Sequence, residues 1–123
     1  MRIYTLYKSF TATADAAVNF MVVANGRIKC VVFAIAAVLN ADAEFFHVEL
    51  GAVPTIQSRT NDSVGAIAVC KGMAGILTSG GSQCGYNFIV PTDWPVKAQD
   101  KIYLHGVLTG TNSVDVTVLV YVI

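Results

Sequence analysis

The amino-acid sequence predicts an all-β protein: an antiparallel two-sheet sandwich of the jelly-roll type with eight or nine strands. Three observations lead to this prediction. Apolar residues alternate with period two, rather than the 3.6 of a helix, along most of the chain. Turn-forming residues interrupt the apolar runs at intervals of about ten to fifteen residues. The runs themselves are rich in β-branched and aromatic residues, which favour a pleated surface.

The first strands flank the dipeptide Asn25-Gly26. Strands are predicted over residues 2–13, 17–24 and 27–39. Because Asn-Gly supplies the positive φ angles of a type I′ turn, we predict that the second and third of these strands form a hairpin. The stretch Cys30 to Leu39 is apolar throughout and is also compatible with a helix, but its valines and isoleucine and the preceding turn favour a strand.

The middle of the chain alternates between short strands and turns. Strands are predicted over residues 43–50, 53–59, 64–71 and 86–90. Glycines dominate residues 72–85, and prolines bound residues 91–95, so both stretches are predicted to be loops. In the first of the four strands, the predicted inward residues are Phe46, Val48 and Leu50, and the predicted outward residues are Phe45, His47 and Glu49.

The C-terminal part contains the clearest alternation. Residues 114–123 place five valines on one face, and residues 101–108 alternate in the same way. Turn-forming residues fill positions 109–113. We therefore predict a second hairpin over residues 101–123.

Composition limits the classes of function. The chain of 123 residues is expected to form a single domain, residues 1–123, and it is 54% hydrophobic but only 13% charged. An average soluble domain is about 45–50% apolar and about 25% charged, so part of the apolar excess is expected to face other protein. The net charge of zero provides no field for nucleic acid. Ten apolar residues, the longest run, are about half of a membrane-spanning helix.

The residues that could carry chemistry form no recognisable motif. The two histidines, His47 and His105, are far apart in sequence, and Cys30, Cys70 and Cys84 have no paired spacing. No nucleophile elbow or phosphate-binding loop is present. We therefore expect no catalysis, no cofactor and no metal, with the cysteines reduced. The N-terminus lacks the pattern of a secretory signal, which leads us to expect synthesis in a cytoplasm.

Two strands lack the polar alternation of a half-exposed strand. Both faces of residues 27–39 become apolar after Lys29, and the last strand places large apolar residues opposite its valines. These second faces must be covered by another part of the chain or by another subunit. The candidate subunit-interface residues are Val31, Phe33, Ile35, Leu119, Tyr121 and Ile123.

The chain resembles small structural proteins of viruses and bacteriophages. Asn25-Gly26-Arg27-Ile28-Lys29 opens a long apolar strand, and residues 96–104 resemble the loop that leads into the penultimate strand of many such sandwiches. A glycine often precedes the aspartate of that loop, whereas this chain has Gln99 before Asp100. The resemblance is to jelly-roll proteins of capsid decoration (cement), minor capsid and fibre-head types. It implies a homo-oligomer, typically a trimer, in contact with major capsid or other virion proteins.

From the sequence, we expect a non-enzymatic virion protein that stabilises a capsid as a decoration protein. The alternative is a receptor-binding or carbohydrate-binding module of a fibre or spike, in which Tyr4, Tyr7, Phe10 and Tyr103 would form an aromatic platform for sugars. A small enzyme on a cupin-like barrel ranks last, because the histidine-rich metal motif of such proteins is missing.

Overall fold

A computed structural model of the chain describes residues 1–39, 45–54, 66–73, 82–108 and 113–123. It confirms the all-β sandwich, with two antiparallel sheets of four strands each. In the described ranges, no helix is long and apolar enough to cross a membrane. The strands are β1 (Arg2–Phe10), β2 (Ala14–Met21), β3 (Gly26–Leu39), β4 (Phe45–Gly51), β5 (Ala66–Met73), β6 (Ser82–Val96), β7 (Lys101–Leu108) and β8 (Ser113–Val122).

The strand order is that of a jelly roll. Sheet A has the order β1-β8-β3-β6, and sheet B has the order β2-β7-β4-β5. All the pairings are antiparallel. The chain changes sheet at six of its seven connections, which is the alternating path of a double-sheet jelly roll. Only the connection from β4 to β5 stays within one sheet, because these two strands are neighbours in sheet B.

The first predicted hairpin is wrong, because β2 lies in sheet B and β3 lies in sheet A. The Asn25-Gly26 link carries the chain from one sheet to the other. The Asn25 side chain accepts a hydrogen bond from the backbone N–H of Ala98 at 2.9 Å. A Cβ on Gly26 would lie 2.9 Å from the carbonyl oxygen of Ile123, so glycine allows β3 to approach the end of the chain.

The second predicted hairpin is wrong for the same reason. Its two strands are present as β7 and β8, but β7 pairs with β2 and β4, whereas β8 pairs with β1 and β3. Their link, residues 109–112, lies outside the described residues. Turn chemistry marks where the chain reverses and does not specify whether the next strand joins the same sheet.

The prediction that the chain leaves its strand at Pro91 is also wrong. Strand β6 runs from Ser82 to Val96 and includes both Pro91 and Pro95. It is an edge strand of sheet A, with only β3 as its neighbour. An edge strand tolerates proline because one of its sides has no ladder to complete. Most of the predicted strand over 53–59 and residues 74–81 of the predicted loop over 72–85 lie outside the described residues. The rest of that loop prediction is wrong, because residues 72–73 belong to β5 and residues 82–85 belong to β6.

The core lies between the two sheets. Alternate residues of each strand point into it, including the valines at even positions of β8, which are almost fully buried. Gly106 of β7 makes room for a core ring, since a Cβ there would lie 2.6 Å from the ring of Phe10. The largest buried apolar side chains are Phe10, Phe33, Phe46, Ile28, Leu50, Ile102 and Leu104.

Candidate interaction surface

A β-bulge in β3 decides which side chains leave the core. The pairing of β3 with both neighbours shifts between Ile28 and Cys30. Relative to β8, Lys29 is an extra residue in β3, whereas relative to β6 the extra residue lies on β6, between Pro91 and Trp94. Before the bulge, odd-numbered residues such as Arg27 point outward. After the bulge, even-numbered residues such as Cys30 point outward instead. One inserted residue exchanges the two faces of everything that follows.

The outer face of sheet A therefore carries three rows of side chains that run across all four strands. The register of the strand pairs defines the rows, and we call them together the apolar band. Its rows are Ile3–Tyr121–Cys30–Pro91, Thr5–Leu119–Val32–Ile89 and Tyr7–Thr117–Ala34–Asn87.

The apolar band is open on the single chain. Ile3 is 51% exposed, Tyr7 is 61% exposed and Ile89 is 72% exposed. On the two central strands of the band, Ala34 is exposed and the other five residues are half-buried. With strands about 4.8 Å apart and rows about 6.8 Å apart, the band covers roughly 400 Å². The largest apolar patch on a typical monomer measures about 300–600 Å² and is often functional.

The two ends of this face carry opposite charge. At one end, Asp93 accepts hydrogen bonds from Arg27 at 2.7 Å and from Lys29 at 2.8 Å. These hydrogen bonds, first that from Arg27, lower the pKa of Asp93 to about 2. Two cations and one anion leave this end positive. At the other end, Asp115 is exposed and accepts a hydrogen bond from Ser9.

The six candidate interface residues divide between the two faces. Leu119, Tyr121 and Ile123 lie on the outer face of sheet A. Their role in an interface stays a prediction. Val31, Phe33 and Ile35, in contrast, point into the core and are at most 4% exposed, so they cannot contact another subunit. The sequence prediction continued the alternation from Arg27 and Lys29 without the bulge, and so it missed Val32 and Ala34.

The predicted aromatic platform is not assembled. Phe10 is buried in the core, and Tyr4 stacks on Phe20 with ring centroids 4.4 Å apart. The Tyr4 hydroxyl accepts a hydrogen bond from the backbone N–H of Val23. Tyr7 lies on the outer face of sheet A, whereas Tyr103 belongs to sheet B. These four rings therefore do not share one surface.

The outer face of sheet B has the opposite character. His47 and Glu49 were predicted to face outward, and they do leave the core, but they are only 2% and 1% exposed. His47 Nε2 lies 3.2 Å from Glu49 Oε1. His105 is cross-strand neighbour to Glu49 and is fully buried. Its Nε2 donates to the carbonyl oxygen of Val53 at 2.8 Å.

This buried polar cluster, made of His47, Glu49 and His105, contains groups that could transfer protons, but solvent does not reach them on the folded chain. Within the described residues, no group of three or more His, Cys, Asp or Glu side chains is arranged to hold a metal ion. Burial raises the pKa of the Cys70 thiol to about 11, which suppresses the reactive thiolate. Cys30 is half-buried in the apolar band, and both of these cysteines are free.

No family model and no curated protein matches the sequence. Similar solved structures include three from infectious bursal disease virus. The VP2 subviral particle has a TM-score of 0.44 at 14% identity, over 97% of this chain and 32% of that chain. The Gx strain structure has a TM-score of 0.40 at 15% identity, over 97% and 32%. The T13 viral particle has a TM-score of 0.36 at 15% identity, over 97% and 30%.

The chain thus spans about a third of the length of these viral chains. TM-scores and identities of this size do not transfer the assembly or the partners of those proteins to this one.

Proposed function

We propose that this chain is a non-enzymatic structural subunit of a virus particle and that it works by burying the outer face of sheet A against a second copy of itself. The observation that carries the proposal is the apolar band, which is continuous across four strands and open on the single chain. Jelly rolls serve in viral capsids, lectins and cupins, so the surface rather than the fold supports this choice.

The size of the face suits a contact between copies. Together with its two charged ends, the face measures roughly 650 Å², from the spacing of strands and residues. Two copies would then bury roughly 1,300 Å², which falls within the range of about 1,200–2,000 Å² for stable interfaces. An uncharged, apolar centre with a polar rim is the usual anatomy of such an interface.

The charges favour a second copy as the occupant. If a two-fold axis runs across the strands, the copies lie end for end, and the Arg27 and Lys29 end of each meets the Asp115 end of the other. The contact between oppositely charged ends then forms twice, once at each end of the pair, as two-fold symmetry requires. The zero net charge of the chain adds no repulsion between copies.

Within the particle, the proposed place is the outside of the capsid, because the sequence resembles decoration proteins. Contacts with the major capsid protein would use surfaces other than the outer face of sheet A. The resemblance implies a homotrimer, whereas a flat, self-complementary face favours a two-fold pair. The mass in solution distinguishes them.

Sedimentation equilibrium of the purified chain tests self-association. We expect twice the 13.1 kDa mass for a pair, and three times that mass would support the trimer instead. Ile89→Lys places a charge in the apolar band at a position that is 72% exposed, so the variant should fold and sediment as a single chain. Asn19→Lys, on an exposed position of sheet B, is the matched control and should associate like the natural chain.

A single-chain mass for the natural protein at micromolar concentration would contradict self-association. Mass spectrometry of purified virus particles tests the second part of the proposal. We expect the chain at a fixed ratio to the major capsid protein, and its absence from the particles would contradict a virion role.

A further inference from the structure

A cleft at one end of the sandwich is separate from the apolar band. Its volume is about 350 Å³, which is at the lower end of the range of about 300–1,000 Å³ for small-molecule sites. It lies where β6, β7 and the end of β4 meet. The lining residues are Ala52, Trp94, Gln99, Asp100, Lys101, Ile102 and Tyr103.

Two aromatic side chains line the cleft, one from each sheet. Trp94 is half-buried, pairs with Ile28 across the strands and packs against the core. Tyr103 is also half-buried and stacks on His105, with ring centroids 6.3 Å apart. Because both rings are held by neighbouring groups, they lose little freedom when a ligand packs against them.

The polar side of the cleft is a turn that is tied to the rest of the fold. Within it, Asp100 accepts a hydrogen bond from the N–H of Lys97 at 2.8 Å. The turn is joined to Val22 by two backbone hydrogen bonds: the Gln99 N–H donates to the Val22 carbonyl, and the Val22 N–H donates to the Asp100 carbonyl. The polar groups at this rim therefore have a fixed backbone.

Gln99 stands in a conformation that favours glycine. Its φ is 75°, in the left-handed region, where a side chain costs free energy. Glycine would adopt this turn without strain but would remove the amide group from the cleft. Residues with strained backbone angles persist only where the surrounding structure holds them, and they cluster at ligand-binding sites.

The charges of the lining compensate each other, since Asp100 and Lys101 carry one negative and one positive charge. A neutral ligand with many hydroxyl groups matches this combination. A carboxylate accepts hydrogen bonds from hydroxyls, an ammonium group donates to them, and an amide does both. An aromatic ring packs against the apolar C–H face of a sugar ring.

We propose that this cleft binds a neutral pyranose sugar, with Trp94 or Tyr103 against the ring and with Gln99, Asp100 and Lys101 on its hydroxyls. The site is independent of the proposed assembly, because it shares no residue with the apolar band. A subunit of a particle could use such a site to hold a glycan while its other face makes the contact between copies.

Intrinsic fluorescence tests the proposal directly, because Trp94 is the only tryptophan of the chain. The probes are glucose, galactose, mannose, maltose and lactose, and the control is sorbitol, an open-chain polyol without a ring face. We expect a saturable change in emission with at least one sugar, at millimolar concentration, and none with sorbitol. A change that is absent, or that sorbitol produces equally, would overturn the proposal.

Three variants locate the site, and an NMR titration of each checks the fold and the binding together. Tyr103→Ala should weaken binding at least tenfold, whereas Phe88→Ala, at an exposed position of β6 outside both the cleft and the apolar band, should leave it unchanged. Gln99→Gly keeps the turn and should weaken binding several-fold. If Tyr103→Ala and Gln99→Gly both fold and bind the sugar like the natural chain, the cleft is not the site.

Discussion

The outer faces of the two sheets differ in a way that composition alone does not reveal. Sheet A leaves large apolar side chains open, whereas sheet B hides His47, Glu49 and His105. The fold thus buries the polar cluster of sheet B within the single chain, while the apolar band of sheet A is left exposed. A surplus of apolar residues in a sequence indicates an interface only after the faces have been assigned.

The first and largest expected effect lies within β3, where neighbouring residues belong to opposite faces. Phe33→Ala removes a fully buried ring and should lower the free energy of unfolding by about 3–5 kcal/mol. Val32→Ala removes a half-buried side chain from the apolar band and should cost less than about 1.5 kcal/mol in the single chain. Urea unfolding at low protein concentration measures both, and equal losses would contradict the assignment of faces across the bulge.

The second comparison sets a buried carboxylate against an exposed one. Glu49→Ala removes the partner of His47 inside sheet B and should destabilise the chain by about 3 kcal/mol. Asp115→Ala, on the outer face of sheet A, should change the stability of the single chain by less than about 1 kcal/mol. Urea unfolding again gives both values, and a loss at Asp115 as large as that at Glu49 would remove the contrast between the faces.

The smallest effect concerns pH. Hydrogen bonds from Arg27 and Lys29 hold the pKa of Asp93 at about 2, below its ordinary value of 3.8. A carboxyl whose folded pKa is depressed stabilises the fold above its unfolded pKa, and this contribution is lost as pH falls from about 4 to about 2. Because the group is exposed, the effect on stability should be small.

An NMR titration of the Asp93 carboxyl measures this directly. We expect a midpoint of about 2 in the natural chain and a higher midpoint in Lys29→Ala, which lacks one of the two donors. A midpoint at the ordinary value in the natural chain would show that the charged end of sheet A is not formed in solution.

Much of the fold follows from local pattern, and the rest depends on contacts far apart in sequence. Period-two alternation correctly predicts strands at both ends of the chain and along residues 27–39. It does not predict pairing, since a turn such as Asn25-Gly26 serves a hairpin and a sheet-to-sheet crossing alike. The positions of Pro91 and Pro95 inside β6 follow from its place at a sheet edge, which only the assembled sandwich defines.

The candidate surface was predicted in part for similar reasons. The terminal strand, without a register shift, yields the correct outer residues Leu119 and Tyr121. After Lys29, both faces of β3 are apolar, so no polar residue follows that would reveal the shift in register. The exposed Ile3 and Ile89 come from strands that join this face only through pairing with distant parts of the chain.

The central claim is that a second copy covers the outer face of sheet A, and the reactivity of Cys30 tests it most directly. Cys30 lies half-buried within the apolar band, whereas Cys70 is buried in the core with a raised pKa and serves as an internal reference. The measurement is the rate at which an alkylating reagent modifies Cys30, followed by peptide mass spectrometry across a dilution series. We predict that Cys30 is protected at high protein concentration and becomes reactive on dilution, while Cys70 stays unreactive. A Cys30 rate that is the same at every protein concentration, in a range where sedimentation shows association, would contradict the claim.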